Sequence, residues 1–130
     1  SKIFADYMDE HIIYIKDDKK LSDSYVKNVT KTVNIVKSYL RYSNRPRMLL
    51  ALVDKRFYQN FIRYVNDVYR NNKSDEPQEL SPKTKLLIQT TLNSILNQAV
   101  KDGVLRKIHT MSWIRTRSSR RLLVTAHISK

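Results

Sequence analysis

Apolar residues recur along this chain at helical spacing, in four blocks. Phe4, Met8, Ile12 and Ile15 form the first stripe with Tyr7 beside them, while Asp6, Asp9 and Glu10 fall elsewhere. The stripe predicts an amphipathic helix from about Ile3 to Lys16, ended by Asp17-Asp18-Lys19-Lys20. Ser22 then offers a cap, and Val26, Val29, Val33, Val36 and Leu40 alternate spacings of three and four up to the Asn44-Arg45-Pro46 breaker. This second helix runs to about Arg41 or Tyr42, with Lys27, Thr30, Lys31, Asn34, Lys37 and Arg41 opposite the stripe.

Leu49, Leu50, Leu52 and Val53 make a short apolar connection, and Asp54 caps a third helix. Its broad apolar face is Phe57, Tyr58, Phe61, Ile62, Val65, Val68 and Tyr69, expected to be the structural heart of the domain. Residues 71–79 are polar, contain Pro77 and read as a loop. Ser81-Pro82 is an N-cap followed by proline at the first helical position, a strong start signal. The fourth helix carries Leu87 or Ile88, then Leu92, Ile95, Leu96, Ala99 and Val100, with Gly103 placed to cap its end. Its other face is expected to show Lys85, Gln89, Thr90, Asn93 and Asn97. Past Ile108 the period fades into a basic linker around Arg115, Arg117, Arg120 and Arg121. One glycine and three prolines leave little turn chemistry for a sheet. The expected fold is all-α, a four- to five-helix bundle with an irregular basic tail.

Composition narrows the classes of function. A chain of 130 residues reads as one domain able to bury a modest core. The absence of cysteine removes disulfides and Cys-based metal sites, and fits a reducing compartment. His11, His109 and His127 lack metal-ligand spacing, so no metal or other cofactor is expected. No apolar run approaches the roughly 18–20 residues that span a bilayer, and no signal-peptide pattern opens the chain. The chain starts Ser-Lys and stops at Lys130 without a terminating signal, which suggests an excised piece with a tag serine at its front.

Charge changes the picture most. From Leu80 to Lys130 there are ten Lys or Arg and one acid, Asp102. Ser24 to Val53 is also free of acids and contains Lys27, Lys31, Lys37, Arg41, Arg45 and Arg47, whereas six of the twelve acids lie in the first 23 residues. Segregation of this kind within a net charge of +13 points to an anionic partner. A basic face on one helix is commonly just solvated surface; two helices and a tail depleted of acids favour nucleic acid. Lysine and arginine neutralise phosphates, and Asn or Gln can match an adenine edge in a major groove. Gln89, Asn93 and Asn97 recur at four-residue spacing, though such residues also fill exposed helix positions for no special reason. Tyr7, Tyr39, Tyr58 and Tyr69 fall on or near apolar stripes and read as core rather than as platforms for base stacking. His11 reads as a half-buried side chain, and Trp113 as an anchor of the tail. Nothing among the motifs suggests catalysis.

Several segments, in order, resemble the core-binding domain of tyrosine recombinases, the integrases of phages and transposons, a domain called SAM-like for its helical fold. Leu80-Ser-Pro-Lys-Thr84, with a helix ending Leu96-Asn-Gln-Ala-Val-Lys-Asp-Gly-Val-Leu105, is similar to the family's last helix. Phe4-Ala-Asp-Tyr-Met8, Leu21-Ser-Asp-Ser-Tyr25 and Val53-Asp-Lys-Arg-Phe-Tyr-Gln-Asn-Phe61 match the first three helices. Arg121-Leu-Leu-Val-Thr-Ala126 is similar to the entry into the family's catalytic domain. The likeness is nearest to integrases of mobile elements from Bacteroides-type bacteria.

The resemblance implies a SAM-like domain over residues 1–112 and a basic linker over 113–130, leading to a catalytic domain. It implies that the domain clamps duplex DNA at the crossover site. A separate domain with a His-x-x-Arg motif and a nucleophilic tyrosine would cut the strands. No His-x-x-Arg occurs here, so this piece is expected to be no enzyme by itself. Carried over by position, the DNA contacts are Ser24, Lys27, Asn28 and Lys31 on the second helix, and Lys83, Thr84, Lys85, Gln89 and Asn93 on the fourth. Arg115, Arg117, Arg120 and Arg121 match the linker. Relatives commonly have Asn-Pro after the fourth helix, where this chain has Lys107-Ile108-His109. Expected partners are double-stranded DNA and other recombinase protomers in a synaptic complex, in the bacterial cytoplasm and on the nucleoid when bound. The rival readings are a protein-interaction bundle with an acidic partner and an RNA-binding helical domain.

Overall fold

The computed structural model describes residues 2–70 and 78–105. Four α-helices account for most of them: α1 (Phe4–Ile13), α2 (Asp23–Tyr42), α3 (Lys55–Asp67) and α4 (Pro82–Lys101). Among the described residues no β-strand forms, so the expected all-α bundle is what the chain adopts. The loop residues 71–77, and the tail from 106 with Trp113 and the linker arginines, lie outside the described residues.

Local chemistry sets most helix ends. Ser22 Oγ accepts from the Tyr25 amide at 3.3 Å, Asp54 Oδ1 from the Phe57 amide at 2.8 Å, and Ser81 Oγ from the Thr84 amide at 3.2 Å. Each satisfies an amide that has no intrahelical acceptor. At the other ends, α2 and α4 finish alike. Arg45 N donates to Leu40 O at 2.7 Å and Val104 N to Ala99 O at 3.0 Å, while Asn44 (φ 62°) and Gly103 (φ 77°) take the left-handed conformation that this closure needs.

Helix α1 ends differently from the expected regular helix through Lys16. It passes into one π-helical turn, Tyr14–Asp18, closed by Lys19 N on Tyr14 O at 3.0 Å. Ile15 is still buried there, while the run from Lys16 to Lys20 is exposed and has no packing to hold a tighter turn.

The four apolar stripes meet in one core. Phe4, Met8, Val29, Val36, Phe61, Leu92, Ile95 and Ala99 are buried in it. Phe57 packs edge-on against Phe4 and Tyr39 at 5.7 and 5.4 Å, and Phe61 packs edge-on against Tyr39 at 5.8 Å. Between Leu87 and Ile88, the core takes Ile88 and leaves Leu87 exposed. Val68, expected on the α3 face, is exposed: it follows the last helical residue, and both Val68 N and Tyr69 N converge on Tyr64 O. The segment after α2 is tied to the chain's start through Phe4 N on Met48 O at 2.9 Å and Leu50 N on Lys2 O at 2.7 Å.

Candidate nucleic-acid interface

Turning the apolar stripe of α2 into the core directs the opposite face outward, and a groove of about 650 Å³ runs along it. Lys27, Thr30, Lys31, Asn34, Ser38 and Arg41 line it, with Val26 and Ile35 at its base and Tyr69 on the far wall. Among the described residues, Lys27, Lys31 and Arg41 form no ion pair, Lys27 and Lys31 on adjacent turns and Arg41 near the end of the helix. The helix's remaining lysine is used otherwise: Lys37 Nζ donates to Asp9 Oδ1 of α1 at 2.6 Å.

The wall opposite α2 is held in place. Ser38 Oγ and the Tyr64 hydroxyl are hydrogen-bonded at 2.8 Å, and the Tyr64 and Tyr69 rings lie 6.1 Å apart. Burial, and then the neighbouring Tyr64, push the Tyr69 phenol above its ordinary pKa. Thr30 Oγ1 is directed inward, donating to Val26 O at 2.8 Å.

Arg70 follows Tyr69 just past the end of α3. Arg70 caps its own helix end, with Nη1 donating to Tyr69 O at 2.8 Å and Nη2 to Asp67 O at 3.3 Å. Its guanidinium also bears on Glu79, whose carboxyl is held below the usual carboxylate range chiefly by a hydrogen bond from Lys85 and by that lysine's charge.

The expected site residues divide accordingly. Lys27 and Lys31 lie in the groove; Ser24 and Asn28 are exposed on the first turns of α2 but do not line it. Lys83 is exposed, and Thr84 is half-buried with its hydroxyl accepting from Ser81 Oγ at 2.9 Å. Lys85 is not the free cation its position suggested, because its stem is largely covered and its ammonium is engaged by Glu79. The polar face of α4 also differs from expectation. Leu86, Leu87, Thr90 and Ser94 are exposed, whereas Gln89, Asn93 and Asn97 are half-buried, and the Oδ1 atoms of Asn93 and Asn97 are buried without a hydrogen-bond partner. Steps of four residues advance about 40° beyond a full turn, so this ladder drifts around a flank instead of forming a straight edge. Arg115, Arg117, Arg120 and Arg121 lie outside the described residues.

Sequence reasoning did not assign Ser38 or Tyr69 to this surface. The period of α2 carries Ser38 on the same side as Lys27 and Lys31, a signal that was there to use. Tyr69 reaches the groove through the packing of α3 on α2, which no local pattern records.

Among the described residues no helix is long and apolar enough to cross a membrane, and no cluster of His, Cys, Asp or Glu could hold a metal ion. No curated protein and no solved structure matches the chain. The family model described as phage integrase SAM-like domain matches residues 3–112. That match covers most of the chain, which therefore belongs to the phage integrase SAM-like domain family, a helical domain distinct from the catalytic domain of phage integrases.

Proposed function

We propose that this chain clamps duplex DNA at the crossover site of a site-specific tyrosine recombinase, as the non-catalytic half of the enzyme. The observation that carries the proposal is the acid-free groove of α2, where Lys27, Lys31 and Arg41 stand unpaired within one continuous surface. Such cations replace the counterions condensed on DNA, and their release drives binding. In this reading Lys27, Lys31 and Lys83 hold phosphates, Lys85 joins them when freed from Glu79, and Ser24, Asn28, Thr84, Gln89 and Asn93 contribute shorter polar contacts along α2 and α4. The linker arginines Arg115, Arg117, Arg120 and Arg121 extend the grip toward a catalytic domain, with other protomers completing the synaptic complex.

Phosphate contacts of this type commonly yield non-specific dissociation constants of about 10⁻⁴–10⁻⁶ M at physiological salt, and the catalytic domain would supply the rest of the clamp. A mobility-shift competition tests the choice of nucleic acid. Unlabelled duplex DNA is expected to displace a labelled duplex at lower concentration than duplex or single-stranded RNA of the same sequence. Preferential displacement by RNA contradicts the proposal, because the deep, narrow major groove of an RNA helix gives side chains no comparable access.

A further inference from the structure

One ion pair stands apart from the others. Lys2 is held by Glu10 at 2.7 Å and Lys37 by Asp9 at 2.6 Å, both pairs using acids of α1. The third pair joins Lys85 of α4, two residues from the exposed Lys83, to Glu79, just ahead of that helix. Glu79 is the sole acid between Gln78 and Lys101. The Lys85 side chain is only 16% exposed, whereas that of Glu79 is 57% exposed, so the lysine is largely covered and its carboxylate partner is open to solvent.

Resting on the DNA reading above, we infer that Glu79 competes with DNA phosphate for Lys85 and so sets the affinity of this surface below what its cations alone would give. A carboxylate presents to an ammonium the same kind of anionic oxygen that a phosphate does. A phosphate reaching Lys85 must therefore displace Glu79, which then rehydrates in solvent at modest cost. Salt gives this exchange a signature. A phosphate that reaches Lys85 sheds its condensed counterion with or without Glu79. The Glu79–Lys85 pair is itself screened by salt, so its competition fades as salt rises. The carboxylate's repulsion of other phosphates is a separate effect that does not need Lys85, and experiment can separate the two.

The test uses the full 130-residue chain and a duplex of arbitrary sequence, with affinity read by fluorescence anisotropy over a salt series. Four proteins are compared: the native chain, Glu79→Gln, Lys85→Gln and the double variant. Glu79→Gln is expected to bind about two- to fivefold tighter at low salt, the span of an exposed ion pair. This gain should shrink as salt rises, so that its log K falls more steeply with log salt than that of the native chain. Both effects should vanish when Lys85 is Gln. Equal affinity and slope for the native chain and Glu79→Gln would overturn the inference. So would weaker binding by Glu79→Gln, which would make Glu79 a support for Lys85, or a gain that persists without Lys85, which would be plain repulsion. A native complex that Lys27→Gln weakens and Glu79→Gln leaves unchanged overturns the role of Glu79 alone. No complex with any of the four proteins overturns the DNA reading and this inference together.

Discussion

The Tyr7 hydroxyl donates to Asp102 Oδ2 at 2.8 Å, joining the first helix to the end of the last across 95 positions of sequence. Gln98 Nε2 holds the other oxygen, Oδ1, at 3.0 Å. The one acid between Leu80 and Lys130 is thus engaged by two neutral donors at the end of α4 and pairs with no lysine or arginine among the described residues. Burial and the Asp102 carboxylate both keep the Tyr7 phenol protonated, its pKa raised well above the ordinary value. Tyr7→Phe removes the bond and leaves one carboxylate oxygen without this donor, while the ring still fills its place. It is expected to cost about 1.5–3 kcal/mol, the range for hydrogen bonds to charged groups, read as a lower urea midpoint with an unchanged m-value.

His11 lies in the same cleft, bordered by Tyr7, Glu10, Tyr14, Gln98 and Asp102. Burial lowers its pKa below the ordinary 6.5, outweighing the opposite pull of Asp102. A base held neutral in the fold binds its proton more readily once unfolded. Its contribution to stability is therefore complete above the unfolded pKa and is lost as pH falls through the folded one. Urea unfolding from about pH 7.5 down to about pH 5.5, the range in which histidine titrates, should show declining stability, with a smaller decline for His11→Gln. An identical profile for the variant would assign the dependence to other groups.

Phe61 is buried completely and meets Tyr39 edge-on at 5.8 Å within the aromatic cluster. Phe61→Ala is expected to destabilise by about 3–5 kcal/mol through lost burial and the cavity left behind. Leu87→Ala removes a residue that is 44% exposed and should change stability by no more than about 0.5 kcal/mol. Similar losses for the two, measured by chemical denaturation, would contradict the packing described.

Features decided by local chemistry were legible in the sequence. Ser22, Asp54 and Ser81 were read as caps because a short acceptor before an apolar stripe satisfies free amides wherever the rest of the chain goes. Gly103 was legible for the same reason, but Asn44, which closes α2 in the same way, appeared only as part of a breaker. The π-helical turn after Ile13 has no sequence signal of its own. In the candidate interface, Lys27 and Lys31 were readable from the period of α2. Tyr69 was not, since it arrives through tertiary packing. Nor was the Glu79–Lys85 pair, whose six-residue separation spans a helix start and matches no helical spacing.

The central claim is that the α2 groove, and not positive charge in general, holds the duplex. Two double variants separate these, Lys27→Glu with Lys31→Glu and Lys16→Glu with Lys19→Glu, because both lower the net charge equally and the second pair sits on the exposed turn after α1. Duplex affinity is to be measured for both at one low salt concentration. The account predicts that the groove variant loses binding by at least about tenfold more than the other, as expected when phosphate contacts are replaced by repulsion. Equal losses in the two variants would contradict it.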